Sequence, residues 1–249
     1  MYALRALYAS LQVQRCDGVL EMITLTIDNQ KIQTQPGRTL LEVAREHAIW
    51  IPTLCYHEAL KPYGGCRLCV VELETPQGPR VVAACTHPCE EGTVVRTDTE
   101  IVCQSRQVAA ELLLARAGHV PFIQELAASL GVHRTPYILP QDACILCARC
   151  VRACQEIVGV GAIGMAQRGA AREVTPPFHI SSKSCIGCGT CVLVCPTGAL
   201  TLAYINGSTQ MVHPWKSEFE TVYCRVWDHH ALPPKFADHT ALLAEEVAP

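Results

Sequence analysis

Half of the 16 cysteines in this chain stand in two runs that share one internal spacing. Each run reads C-x2-C-x2-C-x3-C, and a proline follows the second run. Thiolates repeated at such intervals can ligate the corners of a 4Fe–4S cube. Disulfides or a pair of zinc sites are the alternatives, and this spacing favours iron–sulfur clusters over both. The eight residues are Cys144, Cys147, Cys150, Cys154, Cys185, Cys188, Cys191 and Cys195.

The same spacing predicts that the two runs exchange their last ligands, as in bacterial two-cluster ferredoxins. Three cysteines wrap one cube, whereas the fourth lies too far along the following helix and ligates the other cube. One predicted 4Fe–4S ligand set is Cys144, Cys147, Cys150 and Cys195, and the other is Cys185, Cys188, Cys191 and Cys154.

A separate group of cysteines nearer the N-terminus predicts a 2Fe–2S cluster. Its candidate ligands are Cys55, Cys66, Cys69 and Cys85, two for each iron. Between the first two, Gly64-Gly65 would allow backbone N–H groups to approach the sulfurs. The first gap is ten residues, so the plant-type C-x4-C-x2-C motif does not match. A structural zinc site is the alternative, and Cys89 could replace Cys85 as fourth ligand.

The elements around the first group predict a β-grasp domain. Apolar and polar residues alternate over 23–28, Asp28-Asn29 turns into a second strand around Ile32, and Thr39-x-x-Glu42 forms a capping box. A helix is therefore expected from Leu40 to about His47. Further strands are expected over 70–73 and 93–96.

A helical connector should follow. Thr97-x-x-Glu100 is a second capping box, and Gly118 should end that helix. A shorter helix stops at Gly131, and residues 133–141 form a linker. The residues expected on the inner face of the first connector helix are Ile101, Ser105, Val108, Leu112 and Leu113.

These patterns predict an α+β fold with several units. The expected order is an N-terminal extension (1–21), a 2Fe–2S β-grasp domain (22–97), a helical connector (98–140), a two-cluster 4Fe–4S ferredoxin domain (141–205) and an extended tail (206–249). Residue Met22 could be the true start, because an alternating strand begins there at once. The tail is expected to lie on a partner as an ordered arm.

Composition excludes several functional classes. A net charge of −3 gives no basic patch for nucleic acid, and no apolar run is long enough to span a membrane. Sixteen clustered cysteines indicate metal ligation in a reducing compartment, so we expect a cytoplasmic protein. We find no dinucleotide fingerprint, P-loop, nucleophile elbow or catalytic dyad, and therefore assign no catalytic residue.

Three segments around the first cysteine group carry a family resemblance. They are Ile51-Pro-Thr-Leu-Cys-Tyr-His57, Gly65-Cys-Arg-Leu-Cys-Val-Val-Glu72 and Ala84-Cys-Thr86. The chain resembles the N-terminal module of complex I's large iron–sulfur subunit. It is equally similar to the small diaphorase subunit of NAD-reducing nickel–iron hydrogenases and to related modules of iron-only hydrogenases and formate dehydrogenases. The C-x10-C-x2-C spacing is typical of that group, and the likeness continues through the Cys144 run.

The resemblance implies an electron-relay subunit with one 2Fe–2S and two 4Fe–4S clusters. The implied partners are a flavin- and iron–sulfur-containing NAD(P)H oxidoreductase subunit and a catalytic hydrogenase or formate dehydrogenase subunit. The resemblance is compatible both with complexes that bifurcate electrons and with complexes that do not. The alternatives are a free-standing multi-cluster ferredoxin and a scaffold whose metals only stabilise the fold; the ten-residue gap argues against a succinate dehydrogenase subunit.

One departure from the family is expected to matter. Relatives carry a histidine and three cysteines between the two cluster domains, which hold an additional 4Fe–4S cluster. Here His119 stands at the histidine position, but no cysteine follows before Cys144. We therefore expect that cluster to be absent and His119 to be structural or solvent-facing. The four cysteines without a predicted cluster role are Cys16, Cys89, Cys103 and Cys224.

Two of these four cysteines carry specific expectations. Cys103 stands at a helical position compatible with burial. Cys224 lies near His229, His230 and His239, but the spacing matches no zinc template, so an inert thiol is expected.

Overall fold

A computed structural model describes residues 22–179, 184–206, 209–213, 217–220, 222–223 and 231–232, and beyond residue 201 it describes only the backbone. The N-terminal unit is built on a five-stranded sheet of order β2-β1-β5-β3-β4. Strand β1 runs parallel to β5, and every other neighbouring pair is antiparallel. The strands are β1 (Ile23–Ile27), β2 (Gln30–Thr34), β3 (Val70–Leu73), β4 (Arg80–Ala83) and β5 (Val94–Arg96).

The first hairpin and helix form as the sequence predicts. Asp28 and Asn29 take φ angles of 47° and 68°, which place both in the left-handed region that tight hairpins require. Helix α1 (Leu40–Glu46) begins with a complete capping box between Thr39 and Glu42. Its apolar face packs against the sheet, where Leu25, Ile27, Leu40 and Val43 are among the fully buried side chains.

Two helices follow the sheet, and the start of the first differs from the prediction. Helix α2 (Glu100–Ala117) has Thr99, not Thr97, at its N-cap. Thr97 instead donates its N–H and hydroxyl to the two carboxylate oxygens of Asp28, at 2.7 and 2.5 Å. The hydroxyl is therefore used to join the end of β5 to the first hairpin. Helix α3 (Pro121–Ser129) begins with proline, as helix starts favour.

The predicted inner face of α2 is wrong. Ile101, Val108 and Leu112 are 50, 48 and 45% exposed, whereas Val102, Arg106 and Ala110 are buried. The helix is apolar on more than one side, so apolar spacing alone does not identify the side that meets the sheet. Arg106 settles the orientation because its Nη2 donates to the Val70 carbonyl of β3 at 2.7 Å.

The same orientation of α2 leaves Cys103 exposed, so the expectation that this cysteine is buried is wrong. Its position follows the buried Val102 directly, and adjacent helical residues point about 100° apart. The Cys103 thiol donates to the Asp98 carbonyl at 3.6 Å.

The second unit consists of short elements around the two cysteine runs. Helix α4 (Arg149–Arg152) contains Cys150 of the first run and continues into a π-helical turn (Ala153–Ile157), and α5 (Thr190–Leu193) contains Cys191 of the second run. Between the runs, β6 (Gly164–Ala166) and β7 (Glu173–Thr175) form an antiparallel hairpin.

Strand pairing continues past residue 205. Strand β8 (Thr201–Asn206) forms a hairpin with β9 (Thr209–His213). Strand β10 (Ser217–Glu220) extends this sheet, and β11 (Val222–Tyr223) pairs with β12 (Ala231–Leu232). Cys16, Cys224 and the three histidines after Cys224 lie outside the described residues, as do both expected terminal segments in large part.

Among the helices that the structure describes, none combines the length and the hydropathy that a membrane span requires.

Candidate iron–sulfur sites

The four cysteines predicted to hold the 2Fe–2S cluster lie together as two contacting pairs. Cys55 meets Cys66 on the loop between α1 and β3, and Cys69 meets Cys85 at the base of β3 and β4. Cys55, Cys69 and Cys85 are each at most 1% exposed. The arrangement brings two thiols to each side of one small buried space.

Each pair stabilises one thiolate. The hydrogen bond from Cys55 lowers the pKa of Cys66 to about 5, and the same contact raises the pKa of Cys55. Likewise, the contact with Cys85 raises the pKa of Cys69, and the contact with Cys69 lowers the pKa of Cys85. Thiolate is the form that ligates metal. Two pairs of ligands suit a rhombus in which each iron takes two cysteines.

Backbone N–H groups surround the sulfurs, as the Gly64-Gly65 pair predicts. The N–H groups of Gly65 and Cys66 approach the Cys55 sulfur, the latter at 3.5 Å, and the N–H of Gly64 approaches Cys85. Gly64 has a φ of +69°, and a Cβ at Gly65 would stand 2.3 Å from the Tyr63 ring. Both glycines are therefore needed for this close approach, which favours anionic sulfur.

Cys89, the alternative fourth ligand, lies apart from this group. It is buried beside Arg38 and Glu42, and burial raises the pKa of its thiol to about 11. Its backbone N–H donates to the Arg38 carbonyl at 2.8 Å. Cys85 is thus the residue that contacts Cys69, which agrees with the preference from sequence.

The two C-x2-C-x2-C runs adopt the same backbone. In the first run, Leu146 and Ala148 have φ angles of 57° and 60°, and in the second run Gly187 and Gly189 have 71° and 70° at the equivalent positions. Alternating left-handed residues point successive N–H groups to one side and form an anion-binding nest. In the first run the N–H groups of Leu146 and Arg149 approach the sulfurs of Cys144 and Cys147.

We expect Gly189→Ala to destabilise the cluster-loaded protein by about 1–2 kcal/mol, the usual cost of a left-handed L-residue. An added Cβ would meet no atom within 4 Å, so backbone strain is the whole effect. Gly164→Ala is the matched control, because that site is equally open but its φ is not positive. The measurement is the anaerobic urea midpoint for loss of visible cluster absorbance. Equal midpoints for the two variants would contradict the strain account.

Some cysteines of the two runs lie close enough for their charges to act on one another. Burial raises the pKa of Cys147, and the charge of Cys195 from the other run adds to the rise. Burial also raises the pKa of Cys191 to about 12, with smaller contributions from the charges of Cys188, Cys185 and Cys154. In each run, one cysteine therefore senses the charge of the fourth cysteine of the opposite run.

The fourth cysteines of the two runs, Cys154 and Cys195, also receive hydrogen bonds. The N–H of Ala162 donates to the Cys154 sulfur at 3.3 Å. Burial raises the pKa of Cys195, but hydrogen bonds from Thr197 and nearby backbone N–H groups outweigh it, so that the net pKa is lowered.

The described residues contain no group of three or more His, Cys, Asp or Glu side chains close enough to hold a single metal ion. The ligands of a cluster bind different iron atoms, so their sulfurs stand further apart than four ligands of one zinc ion. Buried or half-buried thiols, several of which face backbone N–H groups, fit iron–sulfur clusters in both units.

A groove of about 550 Å³ connects the two units. Cys66 and Cys147 both lie on its wall, together with Leu54 and Ile145. The exposed α2 residues Val108 and Leu112 form the other side of the groove. These apolar side chains therefore face the groove and not the sheet. The two cluster regions are neighbours across this groove.

Sequence reasoning missed the side chains that join the units, Arg149 and Arg152. Both stand between cysteines of the first run, where their charge was the available signal. They donate to backbone carbonyls of the Cys55–Cys66 loop. His119, by contrast, is exposed, with its Nδ1 3.2 Å from the Gln141 side-chain oxygen.

Comparison with known proteins identifies both units. Residues 20–100 match the family described as a 2Fe-2S iron-sulfur cluster binding domain. Residues 143–199 match the 4Fe-4S dicluster domain. The matched ranges enclose all twelve predicted ligands.

The chain is similar to subunits of several redox complexes. A subunit of the NADH-quinone oxidoreductase of Rhizobium meliloti (strain 1021) is 35% identical over 72% of this chain and 24% of the relative. The NADP-reducing hydrogenase subunit HndD of Solidesulfovibrio fructosivorans is 34% identical over 73% of this chain and 36% of the relative. The chain therefore spans about a quarter to a third of these relatives.

A solved structure covers more of its counterpart. The NAD+-reducing [NiFe]-hydrogenase in the H2-reduced state contains a chain that is 31% identical to this one, with a TM-score of 0.55. The match covers 62% of this chain and 75% of the hydrogenase chain.

Proposed function

This chain belongs to the family of iron–sulfur subunits found in NADH-quinone oxidoreductases and in NADP- and NAD+-reducing hydrogenases, and we propose that it is the electron-relay subunit of such a complex. It would pass single electrons between a flavin-bearing NAD(P)H oxidoreductase subunit and a catalytic subunit of hydrogenase or formate dehydrogenase type. The observation that carries the proposal is the direct contact between a 2Fe-2S unit and a 4Fe-4S dicluster unit in one chain.

We propose three clusters with twelve cysteine ligands. When bound, each cluster would accept and donate one electron at a time. The proposed 2Fe–2S ligands are Cys55, Cys66, Cys69 and Cys85; one 4Fe–4S set is Cys144, Cys147, Cys150 and Cys195; the other is Cys185, Cys188, Cys191 and Cys154.

The protein's own contribution is to bind, shield and bias these groups. Left-handed backbone positions turn N–H groups towards the sulfurs, and such hydrogen bonds favour the more anionic, reduced state. Leu54, Leu68 and Ile123 belong to the buried apolar cluster against which Cys66 packs, and they shield part of its surroundings from water. Burial and hydrogen bonding together set each potential.

The two units adjoin without any intervening domain. Cys66 and Cys147 share one apolar cluster, and Leu60 of the first unit packs against Cys150 of the second. This contact supports transfer between the 2Fe–2S site and the first 4Fe–4S site without the additional histidine–cysteine cluster of the family. Reducing conditions, as in the cytoplasm, would keep the ligand thiols available.

The test is anaerobic affinity purification of the full chain, with identification of co-purifying chains, flavin and metals. We expect a flavin-containing NAD(P)H subunit, a metal-containing catalytic subunit and about ten irons per copy of this chain. A chain with about ten irons that remains alone in gentle salt would overturn the subunit assignment and indicate a mobile ferredoxin. Abundant zinc and little iron would overturn the relay itself.

A further inference from the structure

Arg152 joins the two cluster-binding units through both terminal nitrogens of its guanidinium. The residue lies in helix α4 between Cys150 and Cys154 and is 8% exposed. Its Nη2 donates to the carbonyl of Cys55 at 2.5 Å, and its Nη1 donates to the carbonyl of Lys61 at 2.6 Å. One side chain of the dicluster unit thus holds two points, six residues apart, of the loop that begins at the first 2Fe–2S ligand.

The surroundings reinforce this contact. The Arg152 guanidinium lies 5.1 Å from the centre of the Tyr63 ring, within range of a cation–π interaction. Arg149, one turn earlier, donates from Nη2 to the Tyr56 carbonyl at 2.6 Å. In the opposite direction, the Lys61 N–H donates to Glu156 Oε2 at 2.8 Å. These bonds attach residues 55–63 firmly to α4 and the turn that follows it.

The charge of Arg152 has no carboxylate partner among the described residues. Its Nε is buried without a hydrogen-bond acceptor, as is that of Arg149. The nearest acidic residue along the helix, Glu156, directs Oε2 to the Lys61 N–H and forms no ion pair with Arg152. A buried cation without an ion-pair partner is costly, so an anion close by would stabilise it.

The thiolate-ligated clusters supply that anion in the proposed function. Cys55 and Cys150 are ligands in different clusters, and Arg152 is bonded to one of these residues and lies two positions from the other. The charge of Arg152 also reaches the Cys147 sulfur. Its field therefore acts on two cluster sites at the same time.

We propose that Arg152 is a positioning residue and shared counter-charge, which sets the spacing between the 2Fe–2S site and the first 4Fe–4S site and raises the reduction potential of both. This inference rests on the proposed relay function. A positive charge close to a cluster stabilises the reduced state, which carries one more negative charge than the oxidised state. Arg149 also helps to hold the two units together, because it donates to the Tyr56 carbonyl.

The test separates charge from geometry in the full, cluster-loaded chain. In Arg152→Gln the positive charge is lost, and we expect the reduced-to-oxidised ratio of each neighbouring cluster to fall about tenfold at the wild-type midpoint, or about 59 mV for one electron. Arg152→Lys keeps the charge but not the paired donors. It should restore the midpoints while the magnetic coupling between the reduced clusters stays weaker than in wild type. Redox titration followed by electron paramagnetic resonance measures both quantities.

Arg96→Gln is the matched control, because Arg96 is an exposed arginine paired with Glu74 and should leave both midpoints unchanged. If Arg152→Gln loses iron, Arg152→Lys and Arg149→Gln still test whether the two arginines set the spacing between the clusters. The measured quantity is then the magnetic coupling between the reduced clusters. Unchanged midpoints and coupling in iron-replete Arg152→Gln would overturn the proposal. Those measurements need no partner, so failure here would leave the partner assignment standing, and failure to co-purify partners would leave this inference standing.

Discussion

Replacing Cys66 by serine should abolish the 2Fe–2S signal and lower the iron content from about ten to about eight per chain. Cys66 is the member of its pair whose pKa is lowered to about 5, by the hydrogen bond from Cys55, which favours the thiolate form that ligates iron. The 4Fe–4S signals should remain, because no ligand of the second unit is changed. Iron analysis and electron paramagnetic resonance of anaerobically purified protein provide the measurement.

Cys89→Ser is the matched control for this prediction. Cys89 is a buried cysteine of the same unit, but it lies beside Arg38 and Glu42, not beside the paired thiols. The variant should keep all of its iron. If Cys89→Ser removed the 2Fe–2S signal and Cys85→Ser preserved it, the ligand set would be wrong. Loss of a 4Fe–4S signal in Cys66→Ser would be equally damaging.

Two double variants should distinguish exchanged from unexchanged ligands in the dicluster unit. Cys144→Ala with Cys195→Ala changes two ligands of one proposed cluster, so iron should fall from about ten to about six. Cys144→Ala with Cys154→Ala changes one ligand of each cluster, so iron should fall to about two. The proximity of Cys147 to Cys195 and of Cys191 to Cys154 is the physical reason.

The opposite ranking would show that each run closes its own cube. Both double variants carry two substitutions and share Cys144→Ala, so a general loss of stability would lower the iron content of both alike. The 2Fe–2S signal serves as an internal reference, because its four ligands lie in the other unit. The single variants Cys154→Ala and Cys195→Ala should each leave about six irons.

Local sequence patterns predicted the first unit well because its turn and its helix start depend on residues that are close together in the chain. The Thr39–Glu42 capping box closes within four residues, and the Asp28-Asn29 turn needs only two. Alternation in β1 identifies Leu25 and Ile27 as core residues. The matched domain families also agree with the predicted kinds of cluster.

Patterns that depend on a distant partner were less informative. Thr97 fits a capping box but bonds to Asp28, 69 positions earlier in the chain. The apolar stripe through Val108 fits an inner helix face but borders the groove between the units. In both cases the local pattern permits two outcomes, and a contact made by remote residues selects one.

The cysteine spacing by itself determined what kind of chemistry this protein can perform, because ligation depends on residue type and on short intervals along the chain. Only the tertiary structure decided how the two cysteine regions face each other. Arg149 and Arg152 read as ordinary charged residues beside ligands, yet they bond to carbonyls more than 90 positions earlier. Such bonds depend on how two units from different parts of the chain pack together. The spacing of residues along the chain does not predict that packing.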